Sequence, residues 1–192
     1  MYDEMKYFAE KFFETRKETW LLISIESRHD FYSGLASFRL YRSTGDQIWL
    51  ERGKQAKSNM KFWAENGSMW NFEHMSYLLE AEEHYCCANL VEAQTSFTNA
   101  ITAARLHKFV HDEALACECA AYFYLTASLK TEAMDHFISA HKLYLQWGAT
   151  AKAKKIFEFL PETCSGNAVM TTVASYSMQQ ASTRQQPIAS DH

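Results

Sequence analysis

The sequence predicts an all-α protein built from stacked helix hairpins, and three observations support this class. The 192-residue chain contains only two prolines and six glycines. Long elements are therefore expected, and such elements are usually helices because β-rich domains need a turn every few residues. Apolar residues make up 47% of the chain and recur at helical spacing, which is enough to form a core. The third observation is an internal repeat.

The part of the chain before the repeat predicts four helices, and strong stop signals separate the last three of them. Gly45 suits the left-handed residue that follows a helix, and Asp46 suits the N-cap of the next helix. Gly67 is a second stop, and Ser68 is the expected cap of the fourth helix. The predicted helices span residues 3–27, 31–42, 47–64 and 68–88.

The repeat relates segment 81–104 to segment 121–144. Ala93, Phe97 and Ala100 lie on one helical face, where small residues let two helices approach closely. Each unit is predicted to be two helices joined by a short turn, and such hairpins must stack to bury their apolar faces. The identical pairs are Ala81/Ala121, Glu92/Glu132, Ala93/Ala133, Phe97/Phe137 and Ala100/Ala140.

The carboxy-terminal part of the chain changes in composition. A last helix is predicted over 149–160, ending at Pro161. The segment that follows is rich in Ser, Thr and Gln and has little periodic apolar character. The sequence therefore predicts a helical domain over 1–160 and a disordered tail over 161–192.

The small and aromatic positions of the repeat resemble a known family. Ala81, Ala93, Phe97 and Ala100 follow the pattern of the tetratricopeptide consensus. The period is longer than the roughly 34 residues that are usual in that family. The resemblance implies a right-handed superhelix of about eight helices.

A second resemblance rests on five strings between residues 30 and 160. They are Thr44-Gly45-Asp46 with Trp49-Leu50-Glu51-Arg52-Gly53, Trp70-Asn71-Phe72-Glu73-His74, Glu80-Ala81-Glu82, His111-Asp112-Glu113-Ala114-Leu115-Ala116, and Tyr144-Leu145-x-Trp147-Gly148-Ala149-x-Ala151-Lys152. Together they resemble the helical-repeat segment of large multidomain signalling ATPases. Those proteins carry protein-kinase-like and AAA-type ATPase domains before the repeats, and GAF or histidine-kinase modules often follow. The resemblance implies a non-catalytic scaffold and assigns no catalytic residue.

Composition excludes several classes of partner. The formal net charge of −4 and the lack of a basic stripe argue against nucleic acid. No apolar run approaches the length of a membrane span, and residues 1–10 do not have the pattern of a signal peptide. Five cysteines, four of them in helical segments, indicate free thiols in a reducing compartment, so we expect a cytoplasmic protein.

Metal and catalytic sites are the alternative hypotheses. A di-iron bundle needs two Glu-x-x-His strings, and the chain has one, Glu26 to His29. Zinc knuckles prefer C-x2-C in loops, whereas Cys117 and Cys119 are two apart on a helix. The acidic cluster Glu80, Glu82 and Glu83 suits a solvated helix face. We therefore expect no cofactor, no metal and no enzyme, with a small helical metal protein, an enzyme, or a fragment of a larger ATPase as alternatives.

The resemblance to tetratricopeptide arrays also implies a protein-binding groove, because the first helix of each hairpin lines the concave face there. The register of Ala93 and Ala133 then predicts eight groove residues: Met75, Leu78, Glu82, Tyr85, Leu115, Glu118, Tyr122 and Leu125. The expected partner is another protein or a neighbouring domain of a larger signalling protein. Self-association through the apolar face of the amino-terminal helix is a further expectation.

Overall fold

The computed structural model describes residues 4–8, 10, 11 and 23–163, and these are helical apart from short turns. Residues 4–8, 10 and 11 are helical, and seven further helices follow them. These are α1 (Ile23–Thr44), α2 (Gln47–Asn66), α3 (Met69–Cys86), α4 (Leu90–Leu106), α5 (Val110–Thr126), α6 (Lys130–Trp147) and α7 (Thr150–Thr163). The predicted all-α class is confirmed. The predicted tail from residue 164 onward lies outside the described residues.

Each helix packs against the next one in the chain, and short turns between them make consecutive helices antiparallel. In addition, α3 contacts both α1 and α5 directly. The first helices of successive hairpins therefore lie side by side with α3 in the middle, and we call these three helices the inner layer. The right-handed sense of a superhelix remains a prediction.

The turns explain the period of the repeat. A residue with positive φ follows each of four successive helices at a regular interval, namely Ala88, Lys108, Ser128 and Gly148, with φ of 58°, 62°, 63° and 90°. After each one, a backbone N–H donates to a carbonyl five residues back, for example Asn89 to His84 at 3.0 Å and Ala149 to Tyr144 at 2.8 Å. This is the Schellman helix end. One helix and its turn therefore make half a repeat, and a hairpin makes a whole one.

The predicted caps and the predicted core face are present. The Asp46 side chain accepts a hydrogen bond from the backbone N–H of Ile48, and the Ser68 side chain accepts one from Asn71. The alanines and phenylalanines of the repeat are buried at 0–2% exposure: Ala93, Phe97, Ala100, Ala133, Phe137 and Ala140.

Two predicted helix boundaries are wrong. The predicted break between residues 27 and 31 is absent, because α1 is continuous from Ile23 to Thr44. His29 and Asp30 suggest a turn by their polarity, but both are buried within the helix. At the other end, α7 continues past Pro161 to Thr163. Pro161 therefore lies in the last turn of α7, and the helix ends two residues after it.

Candidate protein-binding groove

A groove lies along the inner layer and encloses a cavity of about 710 Å³. Its walls come from α1, α3 and α5, and Met5 borders it from the amino-terminal segment. The lining residues are Met5, Leu35, Ala36, Arg39, Tyr41, Arg42, Ser43, Gly45, Glu82, Tyr85, Cys86, Leu115, Cys119, Tyr122 and Thr126. From Leu115 to Thr126 the groove follows α5 for three turns, or about 16 Å at 1.5 Å per residue.

The structure divides the eight predicted groove residues into two sets. Four of them line the cavity: Glu82, Tyr85, Leu115 and Tyr122. The other four do not. Met75 and Leu78 are each 1% exposed in the core, and Leu125 is half-buried against it. Glu118 is buried, and its carboxylate accepts hydrogen bonds from side chains of α6 and α7.

The wall that α1 contributes to the groove was not predicted. Leu35, Arg39 and Arg42 all line the cavity, but α1 precedes the aligned segments and shares none of their identities. A signal for them does exist in the sequence. Their spacing of i, i+4 and i+7 places them on one face of a helix, as a groove wall requires.

Arg42 is held in place by contacts within the groove. Its Nη1 forms an ion pair with Glu82 Oε2 at 2.5 Å and donates to Cys86 Sγ at 3.4 Å. Its guanidinium lies over the Tyr85 ring, 4.2 Å from the centroid. Burial alone would lower the pKa of Arg42, but the Glu82 carboxylate and Cys86 reverse this and raise it. Arg42 therefore remains charged, and the carboxylate of Glu82 balances that charge within the same chain.

Arg39, one turn earlier, has a different environment. Its side chain is exposed, and its guanidinium lies 5.3 Å from the centroid of the Tyr122 ring. Tyr122 in turn packs edge-on against Phe137, which orients the ring. Among the described residues, no carboxylate forms an ion pair with Arg39. Within that part of the chain, the groove therefore presents one oriented positive charge to solvent.

Tyr85 bridges α3 and α5 across the groove. Its hydroxyl donates to Thr126 Oγ1 at 2.6 Å, and its ring packs edge-on against Phe123 at 5.3 Å. The inner surface is thus shaped before any partner binds, which lowers the entropic cost of binding.

The thiols of the groove are poorly suited to nucleophilic chemistry. Burial raises the pKa of Cys86 to about 11, although Arg42 opposes this shift. Burial also raises the pKa of Cys119 well above its usual range. Since the thiolate is the nucleophile, neither side chain is activated at neutral pH. The described cysteines Cys86, Cys87, Cys117 and Cys119 are free thiols.

The residues of the metal hypotheses do not come together in the part of the chain that the structure describes. Within it, no group of three or more His, Cys, Asp or Glu side chains is arranged to hold a metal ion. His29 is buried in α1, whereas Glu26 of the same string is only half-buried.

A buried polar cluster lies toward the amino-terminal ends of the inner-layer helices. Asp112, at 2% exposure, accepts two hydrogen bonds from Arg28 and one from His74 Nε2 at 2.9 Å. His111 Nε2 is 3.3 Å from the same carboxylate. Burial acts to raise the pKa of Asp112, but His74, Arg28 and His111 outweigh it and lower that pKa. The cluster joins α1, α3 and α5 and so supports the groove.

Near the middle of α5, Glu118 links this helix to α6 and α7. Its carboxylate accepts a hydrogen bond from the Tyr144 hydroxyl and one from Lys152 Nζ, each at 2.7 Å. Burial and the Glu118 charge raise the pKa of Tyr144. Glu118 therefore has a structural role in holding the hairpins together.

Comparison of the chain with known protein-family models, with curated proteins and with solved structures found no match in any of the three. Within the described residues, none of the helices combines the length and the apolar character needed to cross a lipid bilayer.

Proposed function

We propose that this protein is a non-catalytic helical-repeat scaffold that binds a segment of another protein, or of a neighbouring domain in a larger signalling protein, in its inner groove. The observation that carries the proposal is the open cavity of about 710 Å³ walled by three helices. Concave, largely preformed sites of this size are where proteins most often bind ligands.

The chemistry of the walls supports a protein partner. Tyrosine and arginine are enriched in protein interfaces, and two arginines of the groove lie over tyrosine rings, Arg42 over Tyr85 and Arg39 over Tyr122. Leu35 and Leu115 add partly buried apolar surface. A site of this kind suits a helix or an extended peptide better than a small polar metabolite.

The free thiols also support a reducing, cytoplasmic setting. Self-association through the amino-terminal segment is a further proposal. Tyr7 and Phe8 are 56% and 68% exposed there, and such side chains can pack against a second copy.

A random dodecapeptide display library selected on the full chain tests the proposed groove. The decisive variant is Ala36→Trp, because Ala36 lines the cavity and an indole there fills it without deleting an existing contact. Ser58→Trp is the matched control, since Ser58 is exposed on α2 and lies outside the groove lining.

We expect selected peptides to bind the native chain and Ser58→Trp equally and to lose affinity for Ala36→Trp. The double variant Tyr85→Ala with Tyr122→Ala should weaken binding as well. That variant also removes packing on Phe123 and Phe137, so its helicity must be checked by circular dichroism. Equal binding to the native chain and Ala36→Trp would exclude the groove as the binding site.

A further inference from the structure

Building on the proposed function, we infer that the groove takes a partner segment that presents an apolar side chain and a carboxylate about one helical turn apart. The carboxylate pairs with Arg39, and the apolar side chain packs between Leu35 and Leu115. The partner is thus an acidic, amphipathic segment of another protein.

The spacing follows from α1. Leu35 and Arg39 are four residues apart on one face of this helix, which separates them by about 6 Å along the axis. Leu115 lies on the opposite wall, and both leucines pack partly against the core while still lining the cavity. A partner helix reaches the same separation with residues i and i+4, and an extended strand reaches it with residues i and i+2.

The sign of the partner charge follows from the two arginines. Arg42 is already paired with Glu82 at 2.5 Å, so its charge is satisfied within the chain. Arg39 is exposed and lies over the Tyr122 ring, and no described carboxylate pairs with it. Among the described side chains, the groove therefore has one unmatched positive charge, in a protein whose formal net charge is −4. An acidic group complements that charge, whereas a basic group would be repelled by it.

Orientation makes Arg39 a better anchor than an ordinary surface arginine. A guanidinium held over an aromatic ring has lost part of its conformational freedom before binding, so less entropy is lost when a carboxylate pairs with it. The planar fork can then bind the carboxylate in a bidentate geometry.

The peptides selected on the full chain also test this inference. We expect Asp or Glu to be enriched at a fixed distance from Leu, Ile, Met or Phe. Arg39→Met keeps an unbranched side chain over Tyr122 but removes the charge, and Arg39→Glu reverses it. Affinity should fall in that order, by about tenfold or more for Arg39→Glu, and the native affinity should decrease as KCl is raised.

Lys130→Glu is the matched control, because it makes the same change of charge at an exposed residue outside the groove lining. It should leave peptide affinity unchanged. Selected peptides without acidic enrichment, or full affinity in Arg39→Glu, would overturn the inference while the proposed function remains. Peptides that bind Ala36→Trp as well as the native chain would instead overturn the proposed function.

Discussion

The guanidinium of Arg28 donates to both carboxylate oxygens of Asp112, each at 3.1 Å, and thereby joins α1 to α5 between distant parts of the chain. The carboxylate is 2% exposed and the arginine side chain is 35% exposed. His74 from α3 completes the contact between the three inner-layer helices. The inner layer is therefore held together by a buried charge as well as by apolar packing.

Replacing Asp112 with Asn should destabilise the protein near neutral pH. The change removes a charge that accepts three hydrogen bonds, and bonds to charged groups contribute about 1.5–3 kcal/mol each in favourable cases, so a loss on the order of 2 kcal/mol is expected. Urea-induced unfolding followed by circular dichroism at pH 7 measures this loss.

The same pair of proteins gives a pH test. The pKa of Asp112 is lower in the folded protein than its ordinary value, so its stabilisation is complete above that ordinary value and is lost as pH falls through the lowered pKa. The difference between the native chain and Asp112→Asn should therefore shrink between pH 5 and the most acidic pH at which both still fold. Glu158→Gln, at an exposed surface ion pair, should show no such trend. A difference that stays constant down to acidic pH would contradict the assignment.

Replacing Ala88 with Gly should stabilise the protein, because Ala88 has a left-handed backbone with φ of 58° and is exposed. A residue with a Cβ is sterically strained in this region, whereas glycine is not. We therefore expect the free energy of unfolding to rise by about 0.5–1 kcal/mol. Differential scanning calorimetry would detect the higher Tm.

Ala127→Gly is the control for this substitution, since Ala127 ends α5 with an ordinary φ of −75°. Here glycine only adds freedom to the unfolded chain, so stability should fall by about 0.4–1 kcal/mol. Changes of the same sign in both variants would refute the explanation from backbone strain.

Replacing Gly53 with Ala should destabilise the protein even though alanine favours a helix. A Cβ at this position would lie 2.6 Å from the Phe38 ring, which is fully buried and cannot move aside easily. Overpacking typically costs about 1–3 kcal/mol, more than the gain of about 1 kcal/mol in helix propensity. Urea unfolding should show a lower midpoint.

Ser58→Ala, on the exposed face of the same helix, isolates the effect of helix propensity. It should raise stability by a few tenths of a kcal/mol, roughly the difference in helix propensity between the two residues. A stabilised Gly53→Ala variant would show that α1 and α2 are not in close contact at Phe38.

Alkylation should distinguish the four described cysteines. Cys87 is exposed, whereas burial raises the pKa of Cys86 to about 11 and that of Cys117 to about 12. Iodoacetamide at pH 8 should therefore modify Cys87 first, because the reaction requires an accessible thiolate. Peptide mass spectrometry over time gives the order. In urea all four should react at similar rates, and early modification of Cys117 in the native protein would contradict its burial.

Much of the helical pattern could be predicted because its signals are local. Asp46 and Ser68 cap the helices that their positions before periodic segments indicate. Ala93 and Phe97 lie on the buried face that their spacing predicts. The predictions failed where local polarity is misleading. His29 and Asp30 lie within α1 and are buried, although their polarity suggests a turn.

The groove could be predicted only in part. Tyr85 and Tyr122, which the repeat register assigned to the groove, line the cavity. Helical periodicity cannot show how far a neighbouring helix covers the face on which they lie. Met75 and Leu78 share the face of Tyr85 and are nevertheless buried. Arg39 lies outside the repeat alignment, so nothing in the repeat could indicate it.

The sequence by itself determined that the chain is helical, where most of its helices begin and end, and that its hairpins recur at a regular interval. These features are predictable because caps, turn residues and apolar spacing act over only a few residues. Only the tertiary structure decided which inner-face side chains remain open to a partner. It also decided which arginines form ion pairs. Arg28 pairs with Asp112 and Arg42 with Glu82, whereas no described carboxylate pairs with Arg39. Burial and ion pairing depend on helices brought together from distant parts of the chain, and no local pattern encodes which neighbour covers which face.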